Sequence, residues 1–254
     1  MAIVGLVGGL GPESTIDYYR RILAAWERVD PAAAPSIVID SLDVGRALDL
    51  VDRDRPALIE YLLASLHRLA GAGADFAAMT ANTPHIVFDE LAARSPLPLL
   101  SIVEVCAAEA RRLGLRRLLL LGTRFTMAAP FYADVAARYG VIVISPDDAD
   151  QRWVHDRYVG ELLRGTFRDE TREAIVALVA RLKDERQVDG VILGGPELPL
   201  LLRDHVVAGV PALDTTALHV AAIVDRLRPP LLRVITPPMG TPAVSATDRN
   251  SKSF

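Results

Sequence analysis

Six short, nearly unbroken apolar runs punctuate the chain, at Ile3 to Val7, Ser36 to Ile39, Phe76 to Met79, Leu118 to Leu121, Val141 to Ile144 and Val191 to Leu193. Strands with two covered faces read this way, because a parallel sheet buries both sides of each strand. Between the runs, apolar residues recur at helical spacing. They predict helices over Glu13 to Arg28, Arg55 to Ala72, Ile86 to Ala93, Ile102 to Leu113, Ala129 to Tyr139, Arg152 to Arg164, Asp169 to Arg186 and Thr216 to Arg228. The fold class that follows is α/β, with mostly parallel sheets covered by helices. After Arg228 the chain turns Pro-rich and polar, so 231–254 is expected to be a flexible tail with too little apolar surface to offset its ordering entropy.

Internal repetition refines this picture. Gly8 and Gly122, Tyr18 and Tyr132, Asp75 and Asp189, and Ala81 and Gly195 are all separated by 114 positions (122 minus 8), and Pro98-Leu99-Leu100-Ser101 resembles Pro211-Ala212-Leu213-Asp214 at nearly the same offset. A shared register across unusual residues points to a duplication and to two similar lobes related by a pseudo-two-fold axis. The expected division is 1–100 with 214–230 as the first lobe and 101–213 as the second.

Composition excludes several classes. Of 254 residues 51% are apolar and 24% charged, with a net charge of -4, which fits neither a disordered chain nor a basic nucleic-acid binder. No apolar run approaches the roughly 20 residues of a membrane span. The start, Met1 to Gly8, lacks a charged region and cleavage site, so a cytoplasmic location is expected. The five histidines show no metal-ligand spacing, and the single cysteine, Cys106, lies on the apolar face of a predicted helix, where it reads as a small core residue.

Ligands of parallel sheets sit beyond the carboxyl ends of the strands. Four loops there are expected to meet in one cleft: Gly8 to Thr15, Thr80 to His85, Gly122 to Thr126 and Gly194 to Glu197. Gly9 and Gly11 before a helix suit either an anion cradle, with Thr15 beside it, or a tight turn. Gly9-Leu10-Gly11 lacks the third glycine of a dinucleotide fingerprint. Asn82 and Thr83 suit a carboxylate or ammonium group, or a helix cap. His85 is either an acid/base group or structural, and Glu197 either faces the cleft or caps a helix. Among Arg46, Arg53, Arg55 and Arg124, candidates for a bidentate carboxylate grip, Arg124 is best placed because it lies within the third loop.

Gly8-Gly9-Leu10-Gly11-Pro12 with Thr15 and Tyr18-Tyr19, Ala81-Asn82-Thr83-Pro84-His85, and Gly194-Gly195-Pro196-Glu197-Leu198-Pro199 together resemble the aspartate/glutamate racemase superfamily, in its aspartate-racemase-like branch, over roughly residues 1–228. The resemblance implies a two-lobed fold, no cofactor, a homodimer, and an amino acid or small carboxylate as substrate, while the residues themselves give no reason to expect a metal or a nucleic-acid or membrane partner. Such enzymes use two cysteines on opposite faces of the α-carbon, in Cys-Asn-Thr-x-His and Gly-Cys-Thr-Glu motifs. Asn82, Thr83, His85, Gly194 and Glu197 match these motifs, but Ala81 and Gly195 stand where the cysteines would be. Neither can exchange a proton, so the two-cysteine mechanism is absent. Three readings stay open: an amino-acid isomerase with replacement acid/base groups, a lyase, decarboxylase or cyclase using Glu197 and His85, and a carboxylate-binding pseudoenzyme. In the catalytic readings Glu197 is the expected base, assisted by His85 or Thr83. The substrate carboxylate is expected at the loop of Gly9 and Gly11, among Asn82, Thr83, Thr123 and Thr126, with Thr15, Arg46 and Arg124 as further contacts.

Overall fold

The computed structural model describes residues 1–229; the expected tail at 231–254 lies outside them. The first half runs β1 (Ile3–Gly8), α1 (Pro12–Glu27), β2 (Ser36–Ser41), α2 (Val44–Arg53), α3 (Arg55–Gly71), β3 (Phe76–Met79), a 3-10 turn (Thr83–Val87), α4 (Phe88–Arg94), β4 (Leu99–Leu100) and α5 (Ile102–Arg112). The second half repeats the plan with β5 (Arg117–Gly122), α6 (Arg124–Ala128), α7 (Phe131–Ala137), β6 (Ile142–Ile144), α8 (Asp148–Gly160), a 3-10 turn (Leu162–Arg164), α9 (Asp169–Arg186), β7 (Gly190–Gly194), α10 (Leu198–Leu202), β8 (Val206–Val207), β9 (Val210–Asp214) and α11 (Thr215–Leu227).

The two sheets have matching strand orders, β2-β1-β3-β4 and β6-β5-β7-β9, with antiparallel β8 added at the second edge. Apart from β8 every pairing is parallel. The repeated aspartates explain part of the shared register. Asp75 accepts a hydrogen bond from the Ile3 N–H (2.7 Å), and Asp189 accepts from the Arg117 N–H (2.9 Å), so each ties the start of a central strand to its neighbour.

After each last parallel strand comes a capped helix. Ser101 accepts from the Glu104 N–H and Asp214 from the Ala217 N–H, contacts worth about 1 kcal/mol each. The helices exchange sides: α5 contributes Ile102, Val103 and Cys106 to the core around β5 and β7, whereas α11 contributes Val220, Ile223 and Leu227 to the core around β1 and β3. Cys106 is fully buried there, and burial pushes its thiol up to about 12, where it stays protonated.

Several elements depart from the sequence pattern. The helix expected over Arg152 to Arg164 starts earlier, at Asp148, because Asp147 accepts hydrogen bonds from the Ala149 and Asp150 N–H groups as its cap. The one expected at Ala129 to Tyr139 is only Phe131–Ala137, since Pro130 precedes it. The one expected at Ile86 to Ala93 is split into a 3-10 turn and α4. Strand β9 was hidden by Pro211, and β4 and β8 are only two residues long. The unexpected α2 matters most for function, since it forms one wall of the cleft.

Candidate active site

The four expected loops converge. Leu10, the Ala81 to Pro84 segment, Thr123 and the Gly194 to Pro196 segment line one small cavity beyond the carboxyl ends of β1, β3, β5 and β7. Helix α2 closes one side with Val44, Ala47, Leu48 and Val51, and α8 supplies Tyr158. The α2 residues are spaced i, i+3, i+4, i+7, and Asp43 caps the helix by accepting from the Gly45 and Arg46 N–H groups. The enclosed space is about 30 Å³, room for a water or two.

Glu197 is 1% exposed. One carboxylate oxygen, Oε2, accepts a short hydrogen bond from the Tyr158 hydroxyl, and the other, Oε1, is buried without a partner. Oε1 lies against Gly11 of the opposite lobe, where any Cβ would overlap it. Burial raises this carboxyl to about 7, the Tyr158 hydrogen bond opposing the rise, while Asp17 and Glu13 of α1 add to it. Glu197 makes no side-chain cap to α10.

Tyr158 carries no motif and was not anticipated. Its ring lies over Gly195, so close that a Cβ there would sit 2.6 Å from Tyr158 Cζ and nearer still to the hydroxyl oxygen. Tyrosine and glycine are therefore complementary. Gly195→Ala is expected to cost about 1–3 kcal/mol by overpacking. In urea unfolding most of that cost should vanish in a Tyr158→Ala background, and an equal cost in both backgrounds would show that the ring is not the obstacle.

The expected polar ligands fall into two groups. Asn82 and Thr83 reach the cavity. The Asn82 amide donates to Thr215 Oγ1 (3.1 Å), and its oxygen accepts a short bond from Tyr132. Thr83, Thr123 and Thr126 form a closed triangle of hydroxyls with Oγ1 separations of 3.0, 3.0 and 3.1 Å. The triangle joins the two lobes, and Thr83 and Thr123 line the cavity.

The other group is engaged elsewhere. Gly9 takes a positive φ of 73° and donates its N–H to Thr15 Oγ1 (2.8 Å), so Thr15 and that amide serve the turn rather than an anion. Arg46 stacks on Tyr61 with 4.6 Å to the ring centroid. Arg124 pairs with Asp52 of α2 at 3.0 Å, and with Arg53 and Arg55 it lines an open outer groove of about 670 Å³ rather than the cavity.

His85 sits outside the expected acid/base pair. Its Nδ1–H donates to the Ala81 carbonyl (3.1 Å) and its Nε2 accepts from the Ile102 N–H (3.3 Å), roles fixed because a carbonyl only accepts and an amide N–H only donates. Burial, with His219 adding to it, lowers its pKa to about 3. It is a neutral brace beneath the Ala81 loop. Among the described residues no group of three or more His, Cys, Asp and Glu side chains is placed to hold a metal ion, and no helix is long and apolar enough to cross a membrane.

The chain is similar to several known proteins. The chain is 26% identical over 227 residues to the broad specificity amino-acid racemase RacX of Bacillus subtilis (strain 168), an alignment spanning 85% of this chain and 93% of that one. Its fold matches an aspartate racemase homologue from Pyrococcus horikoshii OT3 with a TM-score of 0.75 at 29% identity, covering 89% of this chain and 99% of that one. It also matches the aspartate racemase of Picrophilus torridus with a TM-score of 0.71 at 20% identity, covering 89% and 94%. The family model for Asp/Glu/hydantoin racemases matches residues 7–223, and the chain belongs to that family.

Proposed function

We propose that this racemase-family protein transfers protons at the α-carbon of an amino acid or other small carboxylate held between the lobes, without a cofactor and with Glu197 as the proton acceptor. The observation that carries the reading is the buried Glu197 carboxyl, tuned to about 7 and linked through Tyr158 to a cavity walled by all four loops. A base whose pKa lies near the working pH combines a useful ionised fraction with useful basicity. The second N–H of the Asn82 amide, and the Thr83 and Thr123 hydroxyls once their triangle opens, would be donors for the substrate carboxylate, where negative charge grows as the α-proton leaves. The same reading takes the protein to be a cytoplasmic homodimer, the dimer by analogy with the family.

The walls also favour a substrate class. Leu10, Val44, Ala47, Leu48, Val51 and Leu163 are aliphatic, and among the described residues no lysine, arginine or histidine lines the cavity. A second carboxylate that stays on the substrate, as in aspartate or glutamate, would be buried unpaired at a penalty of several kcal/mol, whereas one that departs as carbon dioxide relieves that penalty. The preferred substituent is therefore small and apolar, and a substrate has to widen the cavity on binding.

The two faces of the cavity favour a second reading. Ala81 and Gly195 occupy equivalent positions in the two lobes, but among the described residues the ionisable proton-transfer pair, Tyr158 and Glu197, lies on the Gly195 side. A one-sided site suits a decarboxylase or other lyase. There the bond from the α-carbon to a departing carboxylate breaks, its electron pair forms an enediolate, and one proton returns from the Glu197 side.

The test is proton NMR in D2O with L- and D-amino acids, alkylmalonates and small dicarboxylates. The expected result is α-proton loss or a new product from members with small apolar substituents, and none from aspartate or glutamate. No exchange and no product across the panel would overturn the catalytic reading, and a preference for aspartate or glutamate would overturn the substrate class.

A further inference from the structure

We propose that Tyr158 is the group that meets the substrate, relaying the proton between the α-carbon and Glu197, and that it does so on one face only, so that exchange retains configuration. This rests on the reading of Glu197 given above and deepens it. Three observations lead to it. Tyr158 lines the cavity, whereas Glu197 is not among the residues that do. The phenol donates to Glu197 Oε2, so the carboxylate communicates with the cavity through the phenol. The ring lies directly over Gly195, at the end of β7, where only a glycine leaves it room.

The relay balances. As the Cα–H bond breaks, its electron pair moves into the substrate carboxylate and forms an enediolate. The proton goes to Tyr158 Oη while the phenolic proton passes to Glu197 Oε2, leaving a neutral phenol and a neutral carboxylic acid. The reverse step returns a proton, or in D2O a deuteron, to the same face. At the equivalent position in the other lobe Ala81 presents a methyl group. The nearby Thr80 hydroxyl is committed to the Val7 carbonyl and to Thr15, both at 3.2 Å. Among the described residues, the other hydroxyls lining the cavity, Thr83 and Thr123, are tied to each other and to Thr126, so that face offers no ionisable group to return a proton.

Inversion and exchange are therefore uncoupled. A racemising site loses the α-proton signal and optical purity together, whereas this site loses the signal and keeps its configuration. The rate is expected to rise with pH as Glu197 ionises. The groups facing that carboxyl are Tyr158 from α8 and Glu13 and Asp17 from α1.

The experiment compares wild type, Tyr158→Phe and Glu197→Gln for α-proton exchange in D2O, with chiral chromatography of the recovered substrate and circular dichroism of each protein. Tyr158→Phe keeps the ring over Gly195 and removes only the hydroxyl. Its kcat should fall by about 10²- to 10⁴-fold, with KM changed less than threefold and the spectrum unchanged. Its residual rate should lose the rise with pH near neutrality, which a merely structural role would not alter. A Tyr158→Phe rate within threefold of wild type, while Glu197→Gln is inactive, overturns the relay and leaves Glu197 as base. Recovery of inverted substrate at the exchange rate overturns the one-face assignment. A wild type that neither exchanges nor converts any substrate overturns the proposed function and the relay with it.

Discussion

Glu197→Gln should reduce turnover by about 10²- to 10⁴-fold, the range supplied by a positioned general base. Glutamine keeps the shape, and its amide oxygen can still accept from Tyr158, but it cannot take up the proton that leaves the α-carbon. The same substitution has a stability signature. The Glu197 carboxyl is raised from 4.5 to about 7 in the fold, so its neutral form is favoured there. That contribution is fully present below about 4.5 and is lost as pH rises through 7. The shift corresponds to about 3 kcal/mol, so between pH 4.5 and 8 the stability of Glu197→Gln should gain on wild type by about that amount. Exchange rates within tenfold of wild type, or urea stabilities that track wild type at both pH values, would remove Glu197 from the role.

Acid should loosen the protein from the opposite direction. His85 is lowered to about 3 and His219 to about 4, both chiefly by burial, from an ordinary 6.5. Their protonation patterns are mirror images. His219 Nε2–H donates to the Leu100 carbonyl (3.1 Å) while its Nδ1 accepts from the Tyr18 hydroxyl (3.0 Å), whereas His85 donates from Nδ1 and accepts at Nε2. Either ring, once protonated, loses an accepted hydrogen bond deep in the molecule. Below pH 6.5 the unfolded chain binds protons that the fold refuses, so stability falls with pH. At pH 5 each histidine should cost about 2 kcal/mol. Glu197 offsets about half of the combined loss over the same interval, leaving about 2 kcal/mol in wild type and about 4 in Glu197→Gln. Urea unfolding from pH 7.5 to 5 reads both slopes, and a flat profile in Glu197→Gln would show that these rings titrate normally.

Much of the fold was legible because its signals are local. Apolar runs mark β1, β3, β5 and β7 wherever both faces of the strand are buried. The constant offset survives because residues such as Asp75 and Asp189 do the same backbone work in each half. The position of α2 could also have been read, since Val44, Ala47, Leu48 and Val51 follow a cap at Asp43, but its Gly and Asp content masks the stripe.

The sequence by itself determined the α/β class, the repeated offset between the halves, the four loops at the strand ends and the motifs that resemble the family, with Ala81 and Gly195 within them. These depend on near-neighbour periodicity and on residue identity. Only the tertiary structure decided which of the motif residues are free to act. His85 matches its motif yet is consumed by Ala81 and Ile102, because two backbone partners saturate both ring nitrogens. Arg124 sits in the right loop yet turns outward to Asp52. Tyr158 belongs to no motif, lies 39 residues from Glu197, and becomes its partner only when α8 packs over Gly195. A hydrogen bond between residues 39 positions apart within one lobe depends on how α8 packs over the end of β7, which no local pattern encodes.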